Sequence, residues 1–284
     1  MTRQIGIAHL TLLPLTPPEI VEVAAAVGLD FVGLRVHPVT AQEQIADMHP
    51  GAPALHETIS RLRDSEISVR DIEFLALTAQ SGPADWQEAL EVGALLGATI
   101  FTVAGADPDR SRLTDTLARL AADAAPFGIR AALEAISYQS VSRVDEAAAI
   151  ARTAGAALML DPLHIQRGGS SIDDVAALEA ELVPVVQLCD APLTLDLSTA
   201  APADARQFEA RRNRLIVGDG ELPLAELLAA VPGDVPVSLE VPNDALRARM
   251  SVNDFAALNL QAARELVTRV ELDGAADQEG RRDA

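Results

Sequence analysis

Four short apolar runs in the second half of this 284-residue chain each end in a side chain that can hold a metal ion or move a proton. They read Ala131-Ala-Leu-Glu134, Leu158-Met-Leu-Asp161, Pro184-Val-Val-Gln187 and Val237-Ser-Leu-Glu240. A buried strand has little reason to carry a carboxylate unless that carboxylate is paired or holds a cation. Any one of these residues taken alone reads better as a salt-bridged or helix-capping group at a strand end. Four on successive strands are much harder to explain that way. Brought together, the carboxylates of Glu134, Asp161 and Glu240 would repel strongly without a cation. One divalent ion resolves the repulsion, and carboxylates with an amide oxygen suit Mg²⁺ or Mn²⁺ better than Zn²⁺. The expected metal ligands are therefore Glu134, Asp161, Gln187 and Glu240. His164 follows Asp161 in Asp161-Pro-Leu-His164 and is delivered to the same place.

Strands must position these groups, and the chain supplies them in regular alternation with helices. Ile5–Leu10, Phe31–Val36, Val69–Leu77 and Thr99–Ala104 are apolar strands that precede those ending in the candidate ligands. Thr16-Pro-Pro-Glu19 opens the first helix with a capping-box pattern and Gly28 closes it. Further helices over about 53–65, 83–96 and 111–125 separate the next strands. Ser142-Arg-Val-Asp145 is expected to cap the helix that ends at Gly155, and Ser170 or Ser171 the one after it. Residues 37–52 hold two His-Pro pairs and no period, so they form a long loop, with His37 and His49 exposed or part of a lid. The segment between Asp190 and Leu222 reads as a long polar connection. A last helix, capped by Ser251, runs to about Val270. Eight strand–helix units without a break in composition predict a closed (β/α)₈ TIM barrel, an α/β fold, over residues 1–273. Residues 274–284 are expected to be a disordered tail. The rival, an open doubly wound sheet, would show a Gly-rich turn after the first strand, where this chain has Leu12-Leu-Pro-Leu-Thr-Pro-Pro18.

Composition narrows the partners. A formal net charge of -20 works against binding nucleic acid or an anionic membrane surface. A single cysteine, Cys189, excludes an internal disulfide and fits a reducing cytosol. The N-terminal residues show no apolar segment of a secretory signal, and no run reaches the roughly 18 apolar residues of a membrane span. A soluble cytoplasmic protein is expected.

The four strand endings resemble the xylose-isomerase-like TIM barrels, the superfamily of sugar-phosphate isomerases and epimerases. Its members hold a divalent metal with Glu, Asp, His and Glu from strands five to eight, and the Asp is followed by a substrate-contacting His. Glu134, Asp161 and Glu240, with His164, match that pattern, while Gln187 stands where the histidine is usual. Gln at this strand resembles bacterial 3-dehydroshikimate dehydratases of the superfamily. So do Gln187-x-x-Asp190-Ala-Pro192, Arg214 followed by Gly218-Asp-Gly-Glu221, and Leu239-Glu-Val-Pro-Asn-Asp244. Two features depart from the dehydratases. The arginine they carry after strand three is missing from Phe74-Leu-Ala-Leu-Thr-Ala-Gln80, and their Pro-Gly-x-Gly turn is Val217-Gly-Asp-Gly220 here.

The resemblance implies a first step shared by these enzymes, removal of a proton beside a carbonyl of a small polyhydroxylated keto substrate. Glu134 and Glu240 would face each other as base and acid, returning the proton to give an epimer or isomer. A lyase of the dehydratase type is the alternative outcome, and a non-catalytic barrel the second alternative. His164 is expected to bind a substrate oxygen or protonate a leaving hydroxyl, or else to orient Asp161. Arg214 would pair with a substrate carboxylate or phosphate, or be a solvated member of Arg211-Arg-Asn-Arg214. His9 reads better as a satisfied core histidine, and Trp86 as packing. A DNA-repair endonuclease of the same superfamily would need more histidines than five and a basic surface. Barrels of this kind often pair, so a homodimer is compatible with the resemblance.

Overall fold

The computed structural model describes residues 3–39, 43–198 and 200–282, with side-chain surroundings described as far as 274. Eight parallel strands close into one barrel in chain order. They are β1 (Ile5–Ile7), β2 (Phe31–Arg35), β3 (Ser68–Leu77), β4 (Ile100–Gly105), β5 (Arg130–Glu134), β6 (Ala157–Leu160), β7 (Val185–Leu188) and β8 (Val237–Leu239). The helices are α1 (Pro17–Val27), α2 (Pro53–Arg63), α3 (Gln87–Leu96), α4 (Arg110–Ala124), α5 (Val144–Ala154), α6 (Pro162–Gly168), α7 (Ile172–Ala176), α8 (Pro202–Arg212), α9 (Leu224–Ala229), α10 (Asp244–Arg247) and α11 (Val252–Arg282).

Successive residues of a strand point to opposite faces of the sheet, and here that rule divides two apolar regions. Val32, Leu34, Phe101, Val103, Leu133, Leu158, Val186 and Leu239 pack outward with the helices in the main core. Phe31, Ile100, Ala132, Ala157, Met159 and Val185 form a separate cluster inside the barrel. Two positions further along each strand, the inward residues turn polar: Arg35 is two beyond Gly33, Thr102 two beyond Ile100, Glu134 two beyond Ala132 and Gln187 two beyond Val185. The apolar plug therefore closes one end of the barrel and the polar residues gather towards the other.

Glycines make room for the plug and the layer above it. An added Cβ at Gly6 would lie 2.2 Å from the Phe31 ring, and one at Gly33 would lie 2.7 Å from Asp71 Oδ1. Gly6 is paired with Phe31 in the β1–β2 register, so the ring occupies the volume its neighbour lacks.

The structure departs from the sequence reading where local pattern was outweighed by tertiary contacts. β1 stops at Ile7, because the Thr11 hydroxyl donates to Leu239 O at 2.8 Å and accepts from Val241 N–H at 2.9 Å, drawing the chain into a 3₁₀ turn at His9–Leu12. α5 is not capped by Ser142. Arg143 occupies the cap position, and the Val144 N–H is satisfied from another unit by Ser170 Oγ at 3.0 Å. Ser171 does cap α7. The polar connection after β7 contains α8, whose buried face is only Ala205, Glu209 and Ala210. It is pinned by a buried ion pair in which Arg167 Nη2 meets Glu209 Oε1 at 2.7 Å, a contact invisible to an apolar period. His37 is half-buried rather than exposed, with both ring nitrogens buried, whereas His49 is exposed. The segment from Gly274, set apart in sequence as a disordered tail, continues α11 in backbone trace as far as Arg282. Ala275 and Ala276 are strong helix formers there.

Substituting Gly6→Ala is expected to cost about 1–3 kcal/mol in urea unfolding, because the methyl group must displace a packed ring. Adding Phe31→Leu should recover part of that loss. A Gly6→Ala variant as stable as the parent would contradict the plug.

Candidate functional site

Glu134 is the last residue of β5, Asp161 follows β6 directly, Gln187 lies in β7 and Glu240 follows β8. All are at most 5% exposed. Each sits on an inward position of its strand, so closure of the barrel aims them at a common volume. Glu134, Gln187, Glu240 and His164 line one cavity at this end of the barrel, with Arg35, Glu73 and Thr102 from β2, β3 and β4 opposite.

Asp161 shapes its own surroundings. As the N-cap of α6 it accepts from the Leu163 and His164 N–H groups at 2.8 and 3.2 Å through Oδ1. This fixes His164 one helical step away. His164 Nδ1 is 3.1 Å from Ser137 Oγ and accepts from the Ser137 N–H at 3.5 Å, which leaves Nε2 to carry the proton. Nε2 stands 3.7 Å from Glu134 Oε1. Burial pushes the His164 pKa down to about 4, so the ring is neutral at pH 7. Tyr138 packs edge-on against it, with ring centroids 5.6 Å apart.

Arg214 is the main surprise. It is 1% exposed and far from solvated. Its Nη1 lies 2.5 Å from Asp161 Oδ2 and its Nη2 lies 2.8 Å from Glu240 Oε2, so the guanidinium stands between two of the expected ligands. Nε donates to Ala210 O at 2.7 Å. Glu240 Oε1 accepts from Gln187 Nε2 at 2.9 Å. Among the described residues, the His, Cys, Asp and Glu side chains that bring ligating atoms within 4.8 Å of one another are Glu134, Asp161 and His164. Glu240 is on the guanidinium's other arm, and Gln187 is bonded to Glu240.

Charge remains unbalanced. Burial would raise the Asp161 pKa, but the Arg214 guanidinium overrides it and holds the carboxyl below its ordinary range. Burial pushes Glu134 well above the carboxylate range, reinforced by Glu240 and Asp161. Glu240 is raised to about 7, again by burial, with Arg214 opposing. One guanidinium does not neutralise the carboxyls of Glu134, Asp161 and Glu240. Gln187 Oε1 is buried with no hydrogen-bond partner. An orphaned amide oxygen among under-compensated carboxylates is a donor set that fits a divalent cation.

The remaining sequence candidates fall into place around this. His9 accepts from Arg35 N–H at 2.8 Å through Nδ1 and reaches Leu15 O at 3.1 Å through Nε2, a satisfied core histidine whose pKa burial pushes down to about 3. Trp86 is fully buried and donates to Asp123 at 3.0 Å. Cys189 is buried, 3.3 Å from Arg214 Nη1, and burial pushes its thiol up. Asp190 accepts from the Gly218 and Leu222 N–H groups, both at 3.0 Å, and so folds the turn that carries Gly218 and Gly220. A Cβ at Gly220 would meet Asp190 Oδ1 at 2.4 Å.

Sequence reasoning missed Arg35, Glu73, Tyr138 and Arg211 as cavity residues. The signal was present for two of them. Arg35 ends an apolar strand, and Asp71 and Glu73 stand two apart within another, the same charge-on-a-buried-strand pattern that marked β5 to β8.

With this geometry in hand, comparison with known proteins is specific about the fold. The profile of the xylose isomerase-like TIM barrel family matches residues 21–266. No curated relative matches the sequence. A solved structure of the IolI protein with a bound zinc atom is similar at a TM-score of 0.75 and 15% identity, covering 94% of this chain and 99% of that one. A D-allulose 3-epimerase from Methylomonas sp., in complex with D-allulose, is similar at 0.64 and 16%, covering 93% and 98%. The probable 3-DHS dehydratase AsbF from Bacillus anthracis is similar at 0.67 and 11%, covering 91% and 98%. At these identities the likeness is one of fold. Among the described residues, no helix is long and apolar enough to cross a membrane.

Replacing Arg214 with Met is expected to destabilise the protein by about 3–5 kcal/mol in denaturant unfolding, since Asp161 and Glu240 would be left buried without their cation. Excess Mn²⁺ should restore part of the loss. An Arg214→Met variant of parental stability without metal would contradict the charge balance described here.

Proposed function

The chain belongs to the family of xylose isomerase-like TIM barrels, and from that premise we propose that it is a divalent-metal-dependent isomerase or epimerase. Its substrate would be a small polyhydroxylated keto compound, from which it removes a proton beside the carbonyl. The observation that carries this reading is the buried meeting of Glu134, Asp161, Gln187 and Glu240 at one end of the barrel, where Arg214 pairs with Asp161 and Glu240 and Gln187 Oε1 is left without a partner. These residues would hold the ion, Mg²⁺ or Mn²⁺ by the oxygen-rich donor set. When bound, such an ion supplies Lewis-acid stabilisation for the charge that develops on the carbonyl oxygen.

The protein's own groups do the rest. Glu134 and Glu240 enter the cavity from β5 and β8 and act as the base and acid pair, one taking the proton from carbon and the other returning one. Return to the opposite face of the same carbon gives an epimer, and return to the neighbouring carbon an isomer. The neutral His164, with its proton on Nε2, donates to a substrate oxygen. Arg214 holds Asp161 in place and lends its charge to the substrate side of the cavity. The zinc in the IolI structure and the D-allulose in the epimerase agree with a barrel of this fold working on sugars with a metal.

A lyase of the dehydratase type is a second reading, favoured by Gln187 in β7 and by Asp190, which organises the turn at Gly218. There the same deprotonated carbon expels a β-hydroxyl, which leaves as water with a proton from the acid member of the Glu134–Glu240 pair, while neutral His164 hydrogen-bonds the departing oxygen.

Mn²⁺ is expected to raise the melting temperature of metal-stripped protein, and the enzyme to exchange a carbon-bound proton of a ketohexose for solvent deuterium, seen by NMR. Glu240→Gln should reduce that exchange at least about 100-fold. Absence of any metal response, together with a fully active Glu240→Gln variant, would overturn the proposal. Appearance of an aromatic absorbance on adding 3-dehydroshikimate, without epimerisation, would select the lyase.

A further inference from the structure

The metal end of the cavity leaves open what holds the far end of a substrate, and the mouth of the barrel carries an arrangement that answers this. Glu43, on the connection between β2 and α2, places its carboxylate between two arginines. Its Oε1 accepts from Arg35 Nη1 at 2.7 Å and from Arg211 Nη2 at 2.5 Å, while Oε2 accepts from the Val39 N–H at 2.9 Å. The arginines come from opposite walls, Arg35 from the end of β2 and Arg211 from the last turn of α8. Both line the cavity that Glu134, His164 and Glu240 line. The side chains of Arg35, Glu43 and Arg211 are 4%, 8% and 24% exposed.

Burying two guanidiniums around one carboxylate is a costly way to tether a loop, because each charge loses its water. Arg35 already has an ionic partner, Glu73, at 3.4 Å. Its frame stands without Glu43, and so does that of Arg211, since α8 is pinned by Arg167 and Glu209. An acid-lined cavity repels an anionic ligand unless cations receive it, and the only arginines facing it besides Arg214 among the described lining residues are these two. A planar group offering two oxygens, one shared by two guanidiniums and one on a backbone N–H, is a carboxylate rather than a tetrahedral phosphate.

We propose that Arg35 and Arg211 form a carboxylate clamp at the mouth of the cavity, that the substrate is a polyhydroxylated keto acid, and that Glu43 fills the clamp with its own carboxylate when no substrate is there. The proposal rests on the proton-abstraction reading above and adds the chemical class of the substrate. Glu43 is then an internal competitor, which must leave the clamp before the substrate enters.

Matched ligands without a carbonyl test this by binding alone. D-gluconate, neutral D-glucitol and glucitol 6-phosphate are titrated calorimetrically into the Mn²⁺-loaded and the metal-stripped protein. Gluconate should bind at least about tenfold more tightly than glucitol, as expected for charge-assisted hydrogen bonds. Arg211→Gln should remove that preference, weakening gluconate binding more than glucitol binding. Glu43→Gln should tighten gluconate binding several-fold, because the competitor's charge is gone. Opposite signs in the two variants separate a clamp from a loop tether, which would move both the same way. Gluconate binding no better than glucitol, a preference for the phosphate ester alone, or equal effects in both variants would overturn the clamp. Failure of the metal-dependent proton exchange would sink the enzymatic reading while leaving this binding preference intact, so the two can fail separately.

Discussion

The carboxyls of Glu134, Asp161 and Glu240 are all buried at one end of the barrel, and everything at this end of the molecule answers to that fact. Unpaired, they would either take up protons or force the strand ends apart. Arg214 meets part of the demand by standing between Asp161 and Glu240, and Gln187 meets a little more by donating to Glu240. What is left over is a protonation-prone Glu134 and an unpartnered Gln187 Oε1, both pointing to a further cation. The barrel tolerates the cluster because its opposite end is plugged by apolar side chains around Phe31, which hold the strands in register.

Placing one guanidinium so deeply takes a good deal of supporting structure. The main chain around Arg214 is bonded on both sides, Leu215 to Asp190 and Arg214 N–H to Pro242 O at 3.1 Å, while Asn243 Nδ2 donates to Arg214 O at 2.7 Å. Asp190 gathers the following turn through backbone N–H groups, and α8, just before Arg214, is locked by Arg167 and Glu209. The segment after β7 is thus a built wall of the cavity. It delivers Arg211 to the mouth and Arg214 to the interior, three residues apart and with different tasks.

Much of this was legible in the sequence, for a physical reason. Parallel strands read as apolar runs, so a polar residue at the end of one is conspicuous, and β5 to β8 announced Glu134, Asp161, Gln187 and Glu240 in this way. Eight such runs separated by capped helices gave the barrel. Less legible was anything that depended on groups from distant units meeting. α8 lacks an apolar face, the cap of α5 comes from Ser170, and the burial of Arg214 follows from partners 53 and 26 residues away in Asp161 and Glu240. Arg35 and Glu73 carried the same signal as the later strand ends and needed only the same question asked of β2 and β3.

The central claim is that the strand ends of β5 to β8 hold a divalent ion beside Arg214. Anomalous diffraction from crystals grown with Mn²⁺ tests it most directly. A single strong peak within bonding distance of Glu134, Asp161, Glu240 and Gln187 Oε1, with the Arg214 guanidinium moved off at least one carboxylate, is the predicted result. No peak there at saturating Mn²⁺, with Arg214 still bridging Asp161 and Glu240, would contradict the account.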